Sequence, residues 1–106
     1  MKRLIAIALL TSASAHAEFK DGNKLLSEMN SSHGNQMTAI GYVMGVADAL
    51  SGITYCGPST MTAGQAYDMV KQYLEAYPAV RHFSADSLVS RVLGSAWPCA
   101  KKGQNL

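Results

Sequence analysis

Three residues near the end of the chain have the side-chain types of a hydrolase triad. His82, Ser84 and Asp86 could supply the base, the nucleophile and the orienting carboxylate. Such triads are assembled across a fold, whereas these residues share one short segment at an expected helix start. Ser84 and Asp86 are also the types that an N-cap and a first helical turn prefer. We therefore expect a protein that is not an enzyme.

Metal and cofactor chemistry is not indicated either. The spacing of Cys56 and Cys99 fits no zinc motif, and neither His33 nor His82 has a cysteine or carboxylate at a recognisable metal-ligand spacing. The sequence contains no phosphate-binding glycine loop and no dinucleotide fingerprint. We expect no metal and no cofactor.

The first seventeen residues have the pattern of a secretory signal peptide. Lys2 and Arg3 precede an apolar run from Leu4 to Leu10, and Ala15-His16-Ala17 forms a small-x-small cleavage site. The apolar run is far shorter than the roughly 20 residues that cross a bilayer. We predict cleavage after Ala17, export to the periplasm and no membrane partner.

Export makes a disulfide between Cys56 and Cys99 the expected state, because disulfides persist in oxidising compartments. Closing a loop of roughly 40 residues stabilises a chain by about 4 kcal/mol in the chain-entropy model. Two free buried thiols are the alternative.

The mature chain has room for one small domain. The whole sequence carries nine Lys and Arg against seven Asp and Glu, but Lys2 and Arg3 leave with the signal peptide and the remaining charges balance. A basic surface for nucleic acid is therefore not expected. The predicted division is 1–17 signal peptide, 18–99 helical domain and 100–106 disordered tail.

Apolar periodicity predicts an all-α domain of four helices, because no stretch alternates as a strand does. The expected helices run over 21–30, over 36–53, from a Thr62 cap to Pro78, and from a Ser84 cap to Trp97. Tyr77 is expected on the inner face of the third helix and Ala96 on that of the fourth. A polar loop is expected over 30–35.

The second helix is the most apolar and carries small residues every three or four positions: Gly41, Gly45, Ala49 and Gly52. Each interior glycine costs about 0.5 to 1 kcal/mol relative to alanine. Close approach of a neighbouring helix, or a partner surface, should explain them.

Several other residues are candidates for contact with a partner. Asp48 lies within this apolar helix, where a carboxylate must find a hydrogen bond or face solvent, and it could offer its charge to a partner. The link between the third and fourth helices concentrates Tyr77, Arg81, His82 and Phe83. Tyr and Arg are enriched at interface hot spots, although ordinary packing is the alternative. Tyr42 is expected to pack with its hydroxyl at a polar edge.

The run from Gly41 to Leu50 resembles the Rap1a/Tai family of type VI secretion immunity proteins, with Gly41, Tyr42, Gly45 and Asp48 as the motif residues. Further matches follow the family order: Gly22-x-x-Leu25-Leu26, Cys56-x-Pro58, Thr62 to Gln65, Tyr73-Leu74 with Pro78, and Pro98-Cys99. The resemblance spans roughly 19–99, and the joint order of these short motifs carries it.

This resemblance implies a periplasmic helical protein, often a homodimer, that binds a peptidoglycan amidase effector and occludes its active site. The effector would be a cysteine amidase of the NlpC/P60 type. The family pattern often has two further cysteines, where this chain has Met29 and Ala39, so the first helix should be held by packing alone. A small periplasmic stress or chaperone-like protein is the alternative function.

Overall fold

Four α-helices make up the domain, as the sequence predicts. The computed structural model describes residues 19–100, so the predicted signal peptide and the 101–106 part of the predicted tail lie outside the described residues. The helices are α1 (Gly22–Met29), α2 (His33–Leu50), α3 (Ala63–Ala76) and α4 (Ala85–Ala96), with a 3-10 turn at Pro78–Val80. Over 19–100 the only β-type pairings are isolated bridges, and the all-α class is confirmed.

Polar side chains begin two of the helices as expected. The Asp21 carboxylate accepts a hydrogen bond from the backbone N–H of Lys24 at 2.8 Å, and the Thr62 hydroxyl accepts one from that of Gln65 at 3.1 Å. Ser84 occupies the N-cap of α4, but its hydroxyl donates to the Ser87 hydroxyl instead. Satisfying the first N–H groups of α1 and α3 fixes where these helices begin.

The predicted bounds of α2 were wrong at both ends. The helix begins three residues early, at His33, because its polar first turn lies in solvent and is held by side chains: Asn35 bonds Ser31, and Thr38 bonds the Gly34 carbonyl. It ends at Leu50 because Gly52 takes a φ of 78°, which favours glycine.

The core lies where the four helices meet. Its fully buried large side chains come from all four of them: Leu25, Met29, Val43, Val70, Leu74, Leu88, Val89 and Leu93. Two inward predictions were wrong. Tyr77 is 56 % exposed because α3 has already ended at Ala76, so helical periodicity no longer directs its side chain. Ala96 is exposed at the last turn of α4, beside an open groove.

The predicted disulfide is confirmed. Cys56 and Cys99 are bonded, with Cα atoms 4.8 Å apart, and the Cys56 N–H donates to the Trp97 carbonyl at 2.8 Å. The bond ties the end of α4 to the segment that follows α2. None of the helices within 19–100 is long and apolar enough to cross a bilayer.

Candidate partner-binding surface

The segment Tyr77–Phe83, called here the α3–α4 bend, is a run of tight hydrogen-bonded turns. Pro78 follows directly after the C-cap of α3, where its lack of an N–H and its fixed φ stop the helix. The Val80 N–H then donates to the Tyr77 carbonyl at 3.2 Å, and the Phe83 N–H donates to that of Val80 at 3.1 Å. The backbone of the bend is therefore fixed locally.

The start of α1 fixes the same bend from outside. The N–H of Asn23 donates to the Arg81 carbonyl at 2.9 Å, and the N–H of Gly22 donates to the Phe83 carbonyl at 3.1 Å. This pairing needs a glycine, because a Cβ at Gly22 would lie 2.9 Å from the Arg81 oxygen and 2.6 Å from Leu88 Cδ1. A third bond runs from the Ala85 N–H to the Lys20 carbonyl at 2.9 Å.

Arg81 has a structural role that the sequence did not reveal. Its Nε donates to the Leu74 carbonyl at 2.6 Å, and one Nη donates to the Glu75 carbonyl at 3.4 Å. These carbonyls belong to the last turn of α3, where a cation also interacts favourably with the helix dipole. The sequence contained one indication of this role, because a basic residue soon after a helix end can bond the last carbonyls of that helix. The guanidinium predicted to meet a partner is thus largely engaged within the chain.

The other predicted residues of the bend lie in solvent. Tyr77 is 56 % exposed, Phe83 is 46 % exposed, and His82 is exposed as well. The rings of His82 and Phe83 pack against each other with centroids 4.2 Å apart, and Tyr77 packs on Tyr73 at 4.9 Å. The bend therefore presents exposed rings on a backbone that is already ordered.

This geometry does not resemble a hydrolytic or metal site. The His82 ring contacts Phe83, while the Ser84 hydroxyl donates to Ser87. Across the residues that the structure describes, no three His, Cys, Asp or Glu side chains are placed to hold a metal ion.

Tyr42 lies beside the start of α4, between two charged groups. Lys20 Nζ is 4.7 Å from the centre of its ring, a cation–π contact, and the same ammonium pairs with Glu28 at 2.6 Å. Burial raises the pKa of the Tyr42 phenol, and the Asp86 carboxylate raises it further. The half-buried ring thus packs as predicted and links α2 to the segment before α1.

Comparison with protein families decides what kind of protein this is. The sequence pattern of the Rap1a immunity proteins matches residues 21–99, a range that contains all four helices and both cysteines. The chain belongs to the Rap1a immunity protein family. It is therefore an immunity protein for a secreted effector, and that effector is its partner. A comparison with curated protein sequences gave no match.

The small-residue strip of this Rap1a family chain faces outward. Among the described residues, no atom lies within 4 Å of a Cβ built at Gly41, Gly45 or Gly52, and Ala49 is exposed. Within the described residues, close approach of a second helix therefore does not explain Gly41, Gly45 or Gly52.

Asp48 belongs to this outward face. It is exposed, and within 19–100 its carboxylate has no salt bridge. It lies six positions after Tyr42, which is about 120° around the helix, so the two residues point in different directions. Tyr77, His82 and Phe83 thus share the bend, where His82 contacts Phe83 and Tyr77 contacts Tyr73. Asp48 lies elsewhere, on α2.

Met29 and Ala39, the positions at which the motif resemblance implied further cysteines, lie in the core. Met29 is 1 % exposed and Ala39 is fully buried. The Met29 carbonyl also accepts a bond from the Tyr67 hydroxyl at 3.4 Å. Apolar packing therefore holds α1 against the bundle at these sites.

Proposed function

We propose that the mature chain, exported to the periplasm after cleavage at Ala17, binds a type VI secreted peptidoglycan amidase and occludes its active site. Membership of the Rap1a immunity family supports the binding of a secreted effector. The motif resemblance is the reason for proposing an amidase as that effector. The chain acts as an inhibitor without catalysis of its own. Steric inhibition needs buried area, typically about 800 Å² per partner, and a few anchoring side chains.

The α3–α4 bend is the proposed contact surface. Its backbone is hydrogen-bonded to α1, so little conformational entropy is lost when it binds. Tyr77, His82 and Phe83 offer exposed rings of the kind that anchors interfaces. Arg81 supports the surface from behind by bonding the end of α3. A surface that is ordered before binding and carries exposed rings is suited to insertion into the active-site cleft of another protein.

A homodimer is the proposed assembly, with the outward face of α2 as its contact. The open glycines Gly41 and Gly45 would let a second backbone approach closely. Replacing Gly45 by Leu should then halve the mass measured by light scattering, while the fold remains intact because the site is open. A wild-type chain that is monomeric at assay concentrations would contradict this assembly.

Calorimetric titration tests the effector proposal. The purified mature chain is titrated with purified secreted NlpC/P60-type amidases from its own organism, and one of them should form a tight complex. Replacing His82 and Phe83 together by Ala should weaken that complex by about 10- to 100-fold, because anchoring aromatic residues carry much of the binding energy.

The control removes an exposed apolar side chain at a different place in the fold. Ile53 is 71 % exposed and follows α2, so Ile53→Ala should leave the Kd unchanged. Failure of every amidase to bind the wild-type chain would overturn the proposed function in favour of the chaperone-like alternative. Equal binding by the wild-type and bend variants would overturn only the placement of the surface.

A further inference from the structure

An open groove of about 500 Å³ runs between α3 and α4. One wall is aromatic, because Tyr73 and Tyr77 pack together with ring centroids 4.9 Å apart. Val92 and Ala96 of α4 provide the apolar opposite side. A volume of this size is typical of sites that take a ligand or a few partner side chains. We call it the α3–α4 groove.

The groove has a single charged lining residue, Arg91. Its Nη1 lies 3.5 Å from the Tyr73 hydroxyl, and over residues 19–100 no carboxylate forms a salt bridge with it. This differs from Arg81, whose donors bond the carbonyls of α3. Arg91 is exposed, so its planar fork of N–H donors is available to an incoming group.

The groove is continuous with the proposed contact surface, because Tyr77 belongs to both. Ala76 and Ala96 also line the groove, and their small side chains leave space for a partner group. Aromatic rings and an arginine around an apolar floor are the composition enriched at the centre of protein interfaces.

We propose that the α3–α4 groove binds a segment of the effector in which a carboxylate side chain adjoins apolar side chains. Arg91 pairs with the carboxylate, and the Tyr73–Tyr77 wall covers the apolar part. Charge complementarity identifies this occupant, since an arginine in an otherwise uncharged groove selects an acidic group and disfavours a basic one. This inference rests on the proposed function and adds a second, charge-selective contact to the bend.

Two groove variants test the proposal, with the amidase that binds the wild-type chain as the probe. Arg91→Glu should raise the Kd about 10-fold or more, because it replaces an attraction by a repulsion. Ala96→Phe should have a similar effect by filling the groove with a ring. Lys24→Glu is the matched control: it makes the same charge change at an exposed residue of α1, and its Kd should stay within about 3-fold of wild type.

The outcomes separate this proposal from the one it rests on. If no amidase binds the wild-type chain, both fail. If the wild-type chain binds but the groove variants bind equally well, the groove proposal is overturned and the proposed function stands. If Arg91→Glu changes the mass of the free protein by light scattering but not its affinity for the amidase, the groove takes a second copy of this chain, which also overturns the proposal.

Discussion

Arg81 is a single residue that supports the α3–α4 bend, the surface of this protein that we propose contacts the effector. Its guanidinium bonds the carbonyls of Leu74 and Glu75, the last acceptors of α3 that the helix itself leaves unused. Arg81→Ala should lower the free energy of unfolding by about 1 to 2 kcal/mol. A hydrogen bond that involves a charged group contributes about 1.5 to 3 kcal/mol, and partial exposure of Arg81 reduces this value. Urea denaturation measures the change.

The neighbouring His82 is the control for this prediction. It is exposed and contacts only the Phe83 ring among the aromatic residues described, so His82→Ala should change stability by less than about 0.5 kcal/mol. Equal stability of the two variants would show that Arg81 does not hold the bend. Any loss of effector affinity in Arg81→Ala must therefore be compared with its loss of stability.

Residue types with local partners were predictable from the sequence. The Asp21 and Thr62 caps depend on an N–H three residues later, which sequence spacing contains. The role of Arg81 had a weaker sequence signal, because its acceptors come within reach only after Pro78 has turned the chain back on α3. Aromatic and basic side chains on a link have the same sequence pattern whether they face a partner or their own chain.

Among the helices, α1 approaches the bend closely at Gly22, where little space is left for a Cβ. A Cβ at Gly22 would overlap the Arg81 carbonyl and Leu88, so Gly22→Ala should destabilise the domain by about 2 kcal/mol through overpacking. Thermal unfolding followed by circular dichroism measures the effect. It should also weaken effector binding by displacing the bend.

Gly64, in the first turn of α3, provides the comparison. Among the residues described, no atom would lie within 4 Å of a Cβ built there, so Gly64→Ala should be neutral or stabilising by up to about 1 kcal/mol. If Gly22→Ala were as stable as Gly64→Ala, the close approach of α1 to the bend would be wrong.

The number and order of the helices followed from apolar periodicity, but the bounds of α2 did not. Turn-forming residues occupy 30–35 in the sequence, but α2 already begins at His33, where local side-chain hydrogen bonds hold its first turn. Apolar periodicity also gave the wrong burial for Tyr77, because it assumes that α3 continues past Ala76. The sequence also did not show whether the α2 glycines face the core or the solvent, because apolar residues occur on both faces of that helix.

At the scale of the whole molecule, the disulfide closes the domain at the end of α4. Cys56 and Cys99 are 43 positions apart, and the chain-entropy model gives about 4 kcal/mol for such a loop. Replacing both by Ser should lower the Tm by more than about 10 °C, since 1 kcal/mol corresponds to about 4 to 8 °C in a domain of this size.

Reduction of the wild-type chain is the parallel measurement and should give a similar Tm. An unchanged Tm in both experiments would contradict a stabilising role for the bond.

The predicted export signal was the sequence feature from which we predicted the Cys56–Cys99 disulfide. The assembly and the choice of effector were not readable in the same way, because they depend on surfaces whose partners belong to other chains.

We propose that this Rap1a family protein inhibits a peptidoglycan amidase by covering its active site. The most direct test is a titration of peptidoglycan cleavage by the amidase with increasing amounts of the oxidised mature chain. We expect a linear fall in cleavage that reaches zero at one chain per amidase. Full cleavage in the presence of excess chain, or cleavage by the chain itself, would contradict it.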